Sequence, residues 1–463
     1  MSQGRLIQDK VVSYLNGLSP GARALLLRTL ETKAGGEADA EARLILDATR
    51  TAIHGNGAVL PDPATVKDSF FQPFAPFVIP ETLTPRQPGW IAAQSIDAIW
   101  TYLTRVAMTE QFRPWLHPHA LRGYSTERHM NDNLGVLRSA AVGELARQAA
   151  AAAEHPKKLQ RFIVALGGEE VLRDAMDLID LAGRLPTLER LLMRLPVAIQ
   201  PWDPTERLAI EQTVAFVHTY PKDLELAALA VASRAPSTST LARVALALAD
   251  EDDDIATVRR SDGRVFVDVA LSVVQRSVTR YAGLREDPNG LDAMLQEIRR
   301  YHEAVRAVTG VLALEEDGTW LKRLSELRRA MSGLILEDIG GVVALIRAAL
   351  TVSAGHPPAE AEARDAIRAV ALLMAVRKSK DALALNELVT RLVPVVERSL
   401  EVQGGRLIEQ LRKSRGEFHA AIRAASDTLI SLSALTFGDE HAALVQKSRD
   451  IAAASRPTLP SFE

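Results

Sequence analysis

Residues 291–334 decide the fold predicted for this chain: LDAMLQEIRRYHEAVRAVTGVLALEEDGTWLKRLSELRRAMSGL. Large apolar side chains recur in them at alternating steps of three and four residues. This spacing keeps apolar side chains in one seam along a helix, and a seam requires a partner helix. The acidic, glycine-containing link at 315–318 predicts that the two segments fold back on each other as an antiparallel hairpin. The seam residues are Leu291, Met294, Ile298, Tyr301, Val305, Val308, Leu312, Trp320, Leu324, Leu327, Met331 and Leu334.

Similar spacing returns in residues 267–281 and 385–395. An alternating apolar–polar run of useful length occurs only at 263–268, and it continues into a helical pattern. We therefore predict an all-α fold. Its N-terminal helices carry an aromatic and proline-rich strap, its centre is an array of short antiparallel helices, and its C-terminal part is a bundle of long helical hairpins.

Four regions follow from this pattern. Residues 1–130 form the N-terminal helical region with the strap, and residues 131–254 form a solenoid-like array of short helices. Residues 255–455 form the long-helix bundle, and residues 456–463 form a flexible tail. The tail contains two prolines and lies at a chain end, where few contacts hold the backbone.

Proline and glycine predict several breaks inside these regions. Between 134 and 250, separate helices are expected at 134–153, 157–166, 169–181, 187–195, 205–218, 224–232 and 237–248. Pro394 is expected to kink or break its helix, because proline removes a backbone donor and clashes with the preceding turn. The Gln-Gly-Gly segment at 403–405 is expected to turn the chain, and a last long helix carries one seam from 408 to 432.

Composition narrows the class of protein. Hydrophobic residues make up 47% of the 463 residues, which excludes disorder of the whole chain. The absence of cysteine from the sequence excludes disulfides, thiolate metal ligands and cysteine nucleophiles. A formal charge of −3 offers no bulk attraction to nucleic acid, so we expect no nucleic-acid partner.

The apolar segments and the amino-acid usage predict where in the cell the protein lies and what kind of organism encodes it. The first residues lack a basic segment followed by an apolar run, so we expect no secretory signal. The most apolar window, 333–354, carries Glu337, Asp338 and Arg347, and this favours a buried helix over a membrane span. Arginine exceeds lysine and alanine is abundant, which is typical of a bacterium with a GC-rich genome. We expect a cytosolic bacterial protein without a membrane span.

Common catalytic motifs are absent from the sequence. It contains no GxxxxGK followed by Ser or Thr, no GxGxxG that opens a helix, no HExxH and no GxSxG. The large nucleotide-binding classes are therefore disfavoured, and we predict no cofactor.

A histidine cluster is the first candidate site. His117 and His119 flank a proline, and an extended segment would let both side chains reach one metal ion. His129 or Glu127 would supply a third ligand. The alternative, which we favour, is that these histidines cap helix ends or lie on a solvated loop.

An acidic run, residues 250–254, is the second candidate site. Asp250, Asp253 and Asp254 have roughly helical spacing, and carboxylates in such an arrangement can hold magnesium ions that bind a diphosphate. No second acidic set with suitable spacing is found on another helix. A solvated loop between domains is the favoured interpretation.

The aromatic strap is the third candidate site. A ligand or peptide groove would be lined by Phe70, Phe74, Phe77, Trp90 and Trp100. The alternative is a hydrophobic clamp that joins the N-terminal helices to the central ones. Large aromatic side chains belong to cores more often than to binding sites, so the clamp is favoured.

The leading functional hypothesis is a non-catalytic scaffold, adaptor or regulatory protein that acts through protein–protein contacts. Apolar seams that remain uncovered within the chain would also support self-association. The alternative is an all-α metal-dependent enzyme that uses the acidic run or the histidine cluster. A peripheral membrane helix at 361–380, with basic residues near its end, is a third hypothesis.

Overall fold

The computed structural model confirms the all-α fold. Among the residues that it describes, helices form nearly all of the regular structure. A short parallel ladder joins β1 (Val78–Ile79) to β2 (Ile91–Ala92). Within these same residues, no helix is both long and apolar enough to cross a membrane. The described residues are 63–116, 127–249, 255–312, 318–353 and 356–454.

The chain forms two compact units. The first contains residues 1–75 and 97–171, and the second contains residues 76–96 and 172–463. The chain passes between the units three times. A unit is therefore assembled from segments that are distant in sequence, as the strap region illustrates.

An aromatic cluster forms the core of the first unit. The ring centroid of Phe70 lies 5.5 Å from that of Trp100 and 5.7 Å from that of Phe112. Arg138 donates from Nε to the carbonyl oxygen of Phe70 over 2.6 Å, at the end of the helix Pro63–Phe71. The described elements of this part of the chain are α1 (Pro63–Phe71), the end of α2 (Ala93–Tyr102), a π-helical turn (Leu103–Ala107), α3 (Thr109–Leu116), α4 (Glu127–Ala153) and α5 (Pro156–Leu166).

The second unit contains the shorter helices of the centre and the long helices of the C-terminal half. The predicted helices between 134 and 250 recur with bounds close to those expected, apart from the break at 181–187. The helices are α6 (Glu169–Arg194), α7 (Pro204–Thr219), α8 (Leu224–Arg234), α9 (Ser239–Ala247), α10 (Ile255–Arg260), α11 (Gly263–Leu284), α12 (Leu291–Val311), α13 (Thr319–Ile339), α14 (Val342–Leu350), α15 (Glu360–Leu383), α16 (Asn386–Lys413), α17 (Gly416–Phe437) and α18 (Asp439–Ala454).

Most of the seam of residues 291–334 is buried as predicted, and Leu291, Leu327 and Leu334 are half-buried. Ile298, Val305 and Leu324 are 0%, 1% and 0% exposed. The predicted hairpin partner is wrong, however, because α12 and α13 each pack mainly on α11 and α15 rather than on each other. A seam requires a partner helix but does not specify which helix supplies it. Residues 315–317 of the predicted link lie outside the described residues.

Pro186 lies inside α6 and does not break it, so the two helices predicted on either side are one. Leu181, Leu185 and Leu188 are buried on successive turns across the proline. Burial contributes about 1.5–3 kcal/mol for each such side chain. Together the three leucines outweigh the cost of an interior proline, which is about 3 kcal/mol.

The helix α16 likewise runs through Pro394, Gly404 and Gly405, and the predicted break and turn do not form. Leu400 and Leu407 are buried on either side of the glycines and continue one apolar face. The chain turns only after α16 has ended. The seam predicted for one last helix is therefore divided between α16 and α17.

Polar contacts fix the 76–92 segment against α6. Arg86 donates from Nη2 to Asp174 over 2.7 Å and also binds Asp177. The N–H of Gly89 donates to Asp177 over 2.7 Å, and that of Ala92 donates to Asp174 over 3.0 Å. Burial raises the pKa of Asp177, although Gly89 and Arg86 oppose the shift. Two carboxylates of one helix thus replace the backbone partners that this irregular segment lacks.

The same segment is also held by α11. Glu81, 8% exposed, accepts from Nε of Arg276 over 3.1 Å and from Arg280. Ser272 donates to the side-chain oxygen of Gln87 over 2.7 Å. A proline-rich segment therefore lies in the interior of the second unit with its polar groups satisfied.

Candidate interaction site at Trp202

The loop between α6 and α7 exposes a tryptophan on a strained backbone. Trp202 is 80% exposed and has φ +65°. A bulky residue rarely adopts this left-handed region. The conformation costs about 1–3 kcal/mol and persists only where surrounding contacts impose it.

Glu206, in the first turn of α7, makes the main contact that holds Trp202 in the left-handed conformation. Its carboxylate is 1% exposed and accepts from the backbone N–H of Trp202 over 2.8 Å. It also accepts from Oγ1 of Thr240 over 2.8 Å and from Nη1 of Arg243 over 2.9 Å, both on α9. One buried carboxylate thereby joins the loop to two helices.

The residues on either side of Trp202 are also fixed. Asp203 is the N-cap of α7 and accepts from the N–H of Thr205 over 2.9 Å. This hydrogen bond lowers the pKa of Asp203 below its usual value. The hydroxyl of Thr205 in turn accepts from the N–H of Gln200 over 3.1 Å. Pro204 at the first helical position suits a helix start, because its missing N–H would have no intrahelical partner.

Arg234, at the end of α8, holds the beginning of the loop. Its Nη1 donates to the carbonyl oxygens of Leu195 over 2.6 Å and Pro196 over 3.2 Å. Its own carbonyl oxygen accepts from the N–H of Ile199 over 3.0 Å. Burial lowers the pKa of Arg234. The loop is therefore tied at both ends to neighbouring helices.

Arg243 stacks on the indole of Trp202. The guanidinium carbon lies 3.3 Å from the ring centroid, and the same guanidinium pairs with Glu206. A cation over an aromatic face is attracted to the ring. One face of the indole is thus fixed by Arg243, while most of the side chain remains in contact with solvent.

Further apolar side chains are exposed close to Trp202 in the sequence. Met193 at the end of α6 and Val197 in the loop are 80% and 90% exposed. Single exposed apolar side chains are ordinary, but several in one short stretch indicate a contact surface. A cleft of about 760 Å³ is lined by Trp202, Pro204, Ile210, Arg207 and Arg243, among others.

The side chains that line this cleft are suited to binding. Its charged side chains are already engaged: Arg207 pairs with Glu211 over 2.9 Å, and Arg243 pairs with Glu206. None of the residues that line it is a serine, cysteine, histidine or lysine. The arrangement can bind and orient a partner, and it offers no activated nucleophile.

Most residues of the two predicted metal sites lie outside the described residues. These are His117, His119, Asp250, Asp253 and Asp254. His129 lies in α4, as does Glu127, but their side chains are outside the description. Among the side chains that the structure describes, no three His, Asp or Glu gather as metal ligands would. Both metal-site hypotheses stay predictions.

The aromatic residues predicted to line a groove are divided between the units. Phe70, Phe74 and Trp100 belong to the first unit, and Phe77 and Trp90 to the second. The three phenylalanines and Trp90 are at most 3% exposed, and Trp100 is partly buried. The groove and the clamp both stay hypotheses, since the N-terminal helices that the clamp would hold lie outside the described residues.

Sequence reasoning missed Trp202 because this residue lies outside every helical seam. The signal that was available is its context: a tryptophan between two prolines and beside an N-cap aspartate, at 201–204. Such a segment predicts a tight helix start with an aromatic side chain just before it. The sequence does not reveal whether that side chain is covered.

Comparison of the chain with profiles of protein families, with curated proteins and with solved structures finds no match. The interpretation of the Trp202 site therefore rests on its own geometry. Its defining features are a strained backbone, a stacked arginine and a buried carboxylate that holds both.

Proposed function

We propose that this chain is a non-catalytic helical scaffold, adaptor or regulatory protein, and that the Trp202 loop is one of its protein-binding surfaces. The observation that carries the proposal is an indole that is 80% exposed although the loop bearing it is tied to three helices. Tryptophan and arginine are the residue types most enriched among side chains that dominate interface energies.

The energy available at this residue supports the proposal. A tryptophan side chain buries roughly 150–250 Å² when it is covered. At about 25 cal/mol for each Å², a partner that covers the exposed part of Trp202 gains about 3–5 kcal/mol. This is the magnitude of an interface hot spot.

Rigid presentation adds to this gain. Binding usually costs about 0.5–1.5 kcal/mol for each mobile side chain that becomes fixed. The indole of Trp202 is already held by Arg243, and its backbone by Glu206. A partner would therefore find the contact surface in its bound conformation.

The test is a comparison of partners captured by matched variants. The full-length chain, Trp202→Ala and Val164→Ala are tagged and used to capture proteins from an extract of the native host, with quantitative mass spectrometry. Val164 is 70% exposed on α5 and serves as the control for loss of an exposed apolar side chain. We expect at least one protein, or a second copy of the chain, to be retained by the wild type and the control and lost with Trp202→Ala.

A retained protein is then purified and its dissociation constant measured. We expect Trp202→Ala to weaken binding at least tenfold, which corresponds to about 1.4 kcal/mol. Identical sets of captured proteins, or affinities that differ less than twofold, would contradict the proposal.

A further inference from the structure

The C-terminal helices α16, α17 and α18 line a second concavity, separate from the Trp202 cleft. It has a volume of about 460 Å³. Small-molecule sites occupy roughly 300–1,000 Å³ and are lined mainly by apolar side chains. Most of the lining here is apolar and includes Leu400, Ile408, Leu429, Phe437, Leu444 and Val445.

Two consecutive glycines of α16 shape this cavity. Gly404 allows the close approach of α17, because a Cβ at this position would lie 3.2 Å from Cδ2 of Leu429. Gly405 also lines the cavity, and a Cβ there would meet no atom within 4 Å. Glycine inside a helix lowers helix stability. At these positions it leaves one wall of the cavity without side chains.

His441 contributes an aromatic ring to the cavity wall. The ring lies 4.4 Å from that of Phe437, centroid to centroid, and both residues line the cavity. The Nδ1 atom of His441 has almost no accessible surface, so a ligand in the cavity does not reach this atom. The two rings therefore offer an apolar surface to the body of a ligand.

Charge at the edge of the cavity selects the class of ligand. Glu409 pairs with Arg412 over 3.0 Å, so the charges of these two lining residues cancel; Lys413, which also binds Glu409 over 2.9 Å, does not line the cavity. Glu401 lies two turns earlier on the same helix, is exposed, and forms no ion pair within the part of the chain that the structure describes. The cavity therefore has an uncompensated negative charge at the Glu401 end.

We propose that this cavity binds a small amphipathic organic amine. The apolar body of the amine lies against Leu429, Leu444 and the Phe437 ring. Its protonated nitrogen is attracted to the carboxylate of Glu401. A carboxylate ligand of the same shape would place like charges together at Glu401.

The test uses two probes that differ only in charge, 4-phenylbutylamine and 4-phenylbutyrate. Each is titrated into the full-length protein, with binding followed by isothermal titration calorimetry and by saturation-transfer NMR. We expect saturable binding of the amine in the millimolar range or tighter, and binding at least tenfold weaker for the carboxylate. Glu401→Gln is expected to weaken amine binding at least fivefold.

Gly405→Leu tests the location, because its side chain would fill the cavity. Gly333→Leu is the matched control, since Gly333 is an exposed helical glycine of α13 that also has open space before it. We expect the first variant to lose amine binding and the second to retain it. If Gly405→Leu does not fold, Leu444→Ala replaces it. Leu444 lines the cavity and is 64% exposed, so this change removes an apolar contact of the ligand and is expected to weaken binding.

Equal affinity for the two probes, absence of amine binding, or amine binding that survives both Glu401→Gln and the cavity variant would overturn the proposal. These results leave the Trp202 surface unaffected, so the two proposals fail independently.

Discussion

Trp90 and Trp202 occupy the same kind of local arrangement in the second unit, yet they are 3% and 80% exposed. Each follows a proline-containing segment and each is stacked on an arginine. The guanidinium carbon of Arg276 lies 4.9 Å from the ring centroid of Trp90, and that of Arg243 lies 3.3 Å from that of Trp202. An arginine stacked on the indole therefore does not decide whether the tryptophan is buried; the packing around the ring decides it.

In both places the arginine is held by a buried glutamate. Arg276 donates to Glu81 over 3.1 Å, and Arg243 donates to Glu206 over 2.9 Å. The difference lies in what packs beyond the indole. Leu226 and Leu229 of α8 pack closely on Gly89, the residue before Trp90. A Cβ at Gly89 would lie only 2.8 Å from Cδ1 of Leu229. The same polar support thus helps to close a core in one place and presents an aromatic side chain to solvent in the other.

The largest difference between the two sites should appear when each tryptophan is truncated. Trp90→Ala is expected to reduce the free energy of unfolding by about 3–5 kcal/mol, because it creates a buried cavity. Trp202→Ala should reduce it by less than about 1 kcal/mol, because little packing is lost and backbone strain remains. Urea denaturation followed by circular dichroism measures both values. Similar losses for the two variants would show that Trp202 is covered in solution.

The glutamate beneath Trp202 provides the second test. Glu206→Gln keeps the shape but removes the charge that engages Arg243, and should cost about 2–3 kcal/mol. The backbone N–H of Trp202 would lose its charged acceptor, so hydrogen exchange in residues 199–206 should accelerate. Glu211→Gln is the control, since Glu211 is 57% exposed and its ion pair with Arg207 lies at the surface. Unchanged exchange in Glu206→Gln would show that the loop is held by other contacts.

The two segments should also respond to acid with opposite signs. Burial raises the pKa of Asp177, which holds the 76–92 segment, so its neutral form is favoured in the fold. Its contribution to stability is fully present below the unfolded value of 3.8 and is lost as the pH rises through the folded pKa. The pKa of Asp203 is lowered, so its contribution is present above 3.8 and is lost as the pH falls through the folded pKa.

Asp177→Asn and Asp203→Asn measure these contributions separately. As the pH falls from 7 to about 2.5, the wild type should gain stability relative to Asp177→Asn and lose it relative to Asp203→Asn. Unfolding free energies at several pH values in this range give the two slopes. Slopes of the same sign would contradict the opposite environments of the two carboxylates.

Much of the helical fold could be predicted from the sequence because apolar spacing reports burial directly. Ile298, Val305 and Leu324 are buried where the 3.5-residue spacing placed them. Most helix bounds between 134 and 250 were also close, since caps and prolines mark helix ends locally.

The errors arose where a distant part of the chain decides the outcome. Pro186 and the glycines at 404–405 resemble breaks, yet buried leucines on both sides keep the helices continuous. The seam of α12 and α13 required partners, but its periodicity could not identify α11 and α15. Trp90 and Trp202 have similar local sequence contexts, and their exposure depends on helices that are remote in sequence. A candidate surface site was therefore invisible until packing was known.

The smallest expected effect concerns the stacking on Trp202. Arg243→Lys keeps a positive charge beside Glu206, but an ammonium cannot lie flat on the indole while it binds the carboxylate. The loss of stability should be about 0.5–1 kcal/mol, the value of a partly exposed cation–π contact. Partner binding should nevertheless weaken, because the indole would no longer be held in one orientation before contact. Arg113→Lys, at a side chain of α3 that is 65% exposed and pairs with Glu110, is the control and should leave binding unchanged. If Arg243→Lys bound the partner as tightly as the wild type, the exposure of Trp202 alone would account for recognition. Glu206 and Arg243 would then stabilise the fold of the loop without contributing to binding.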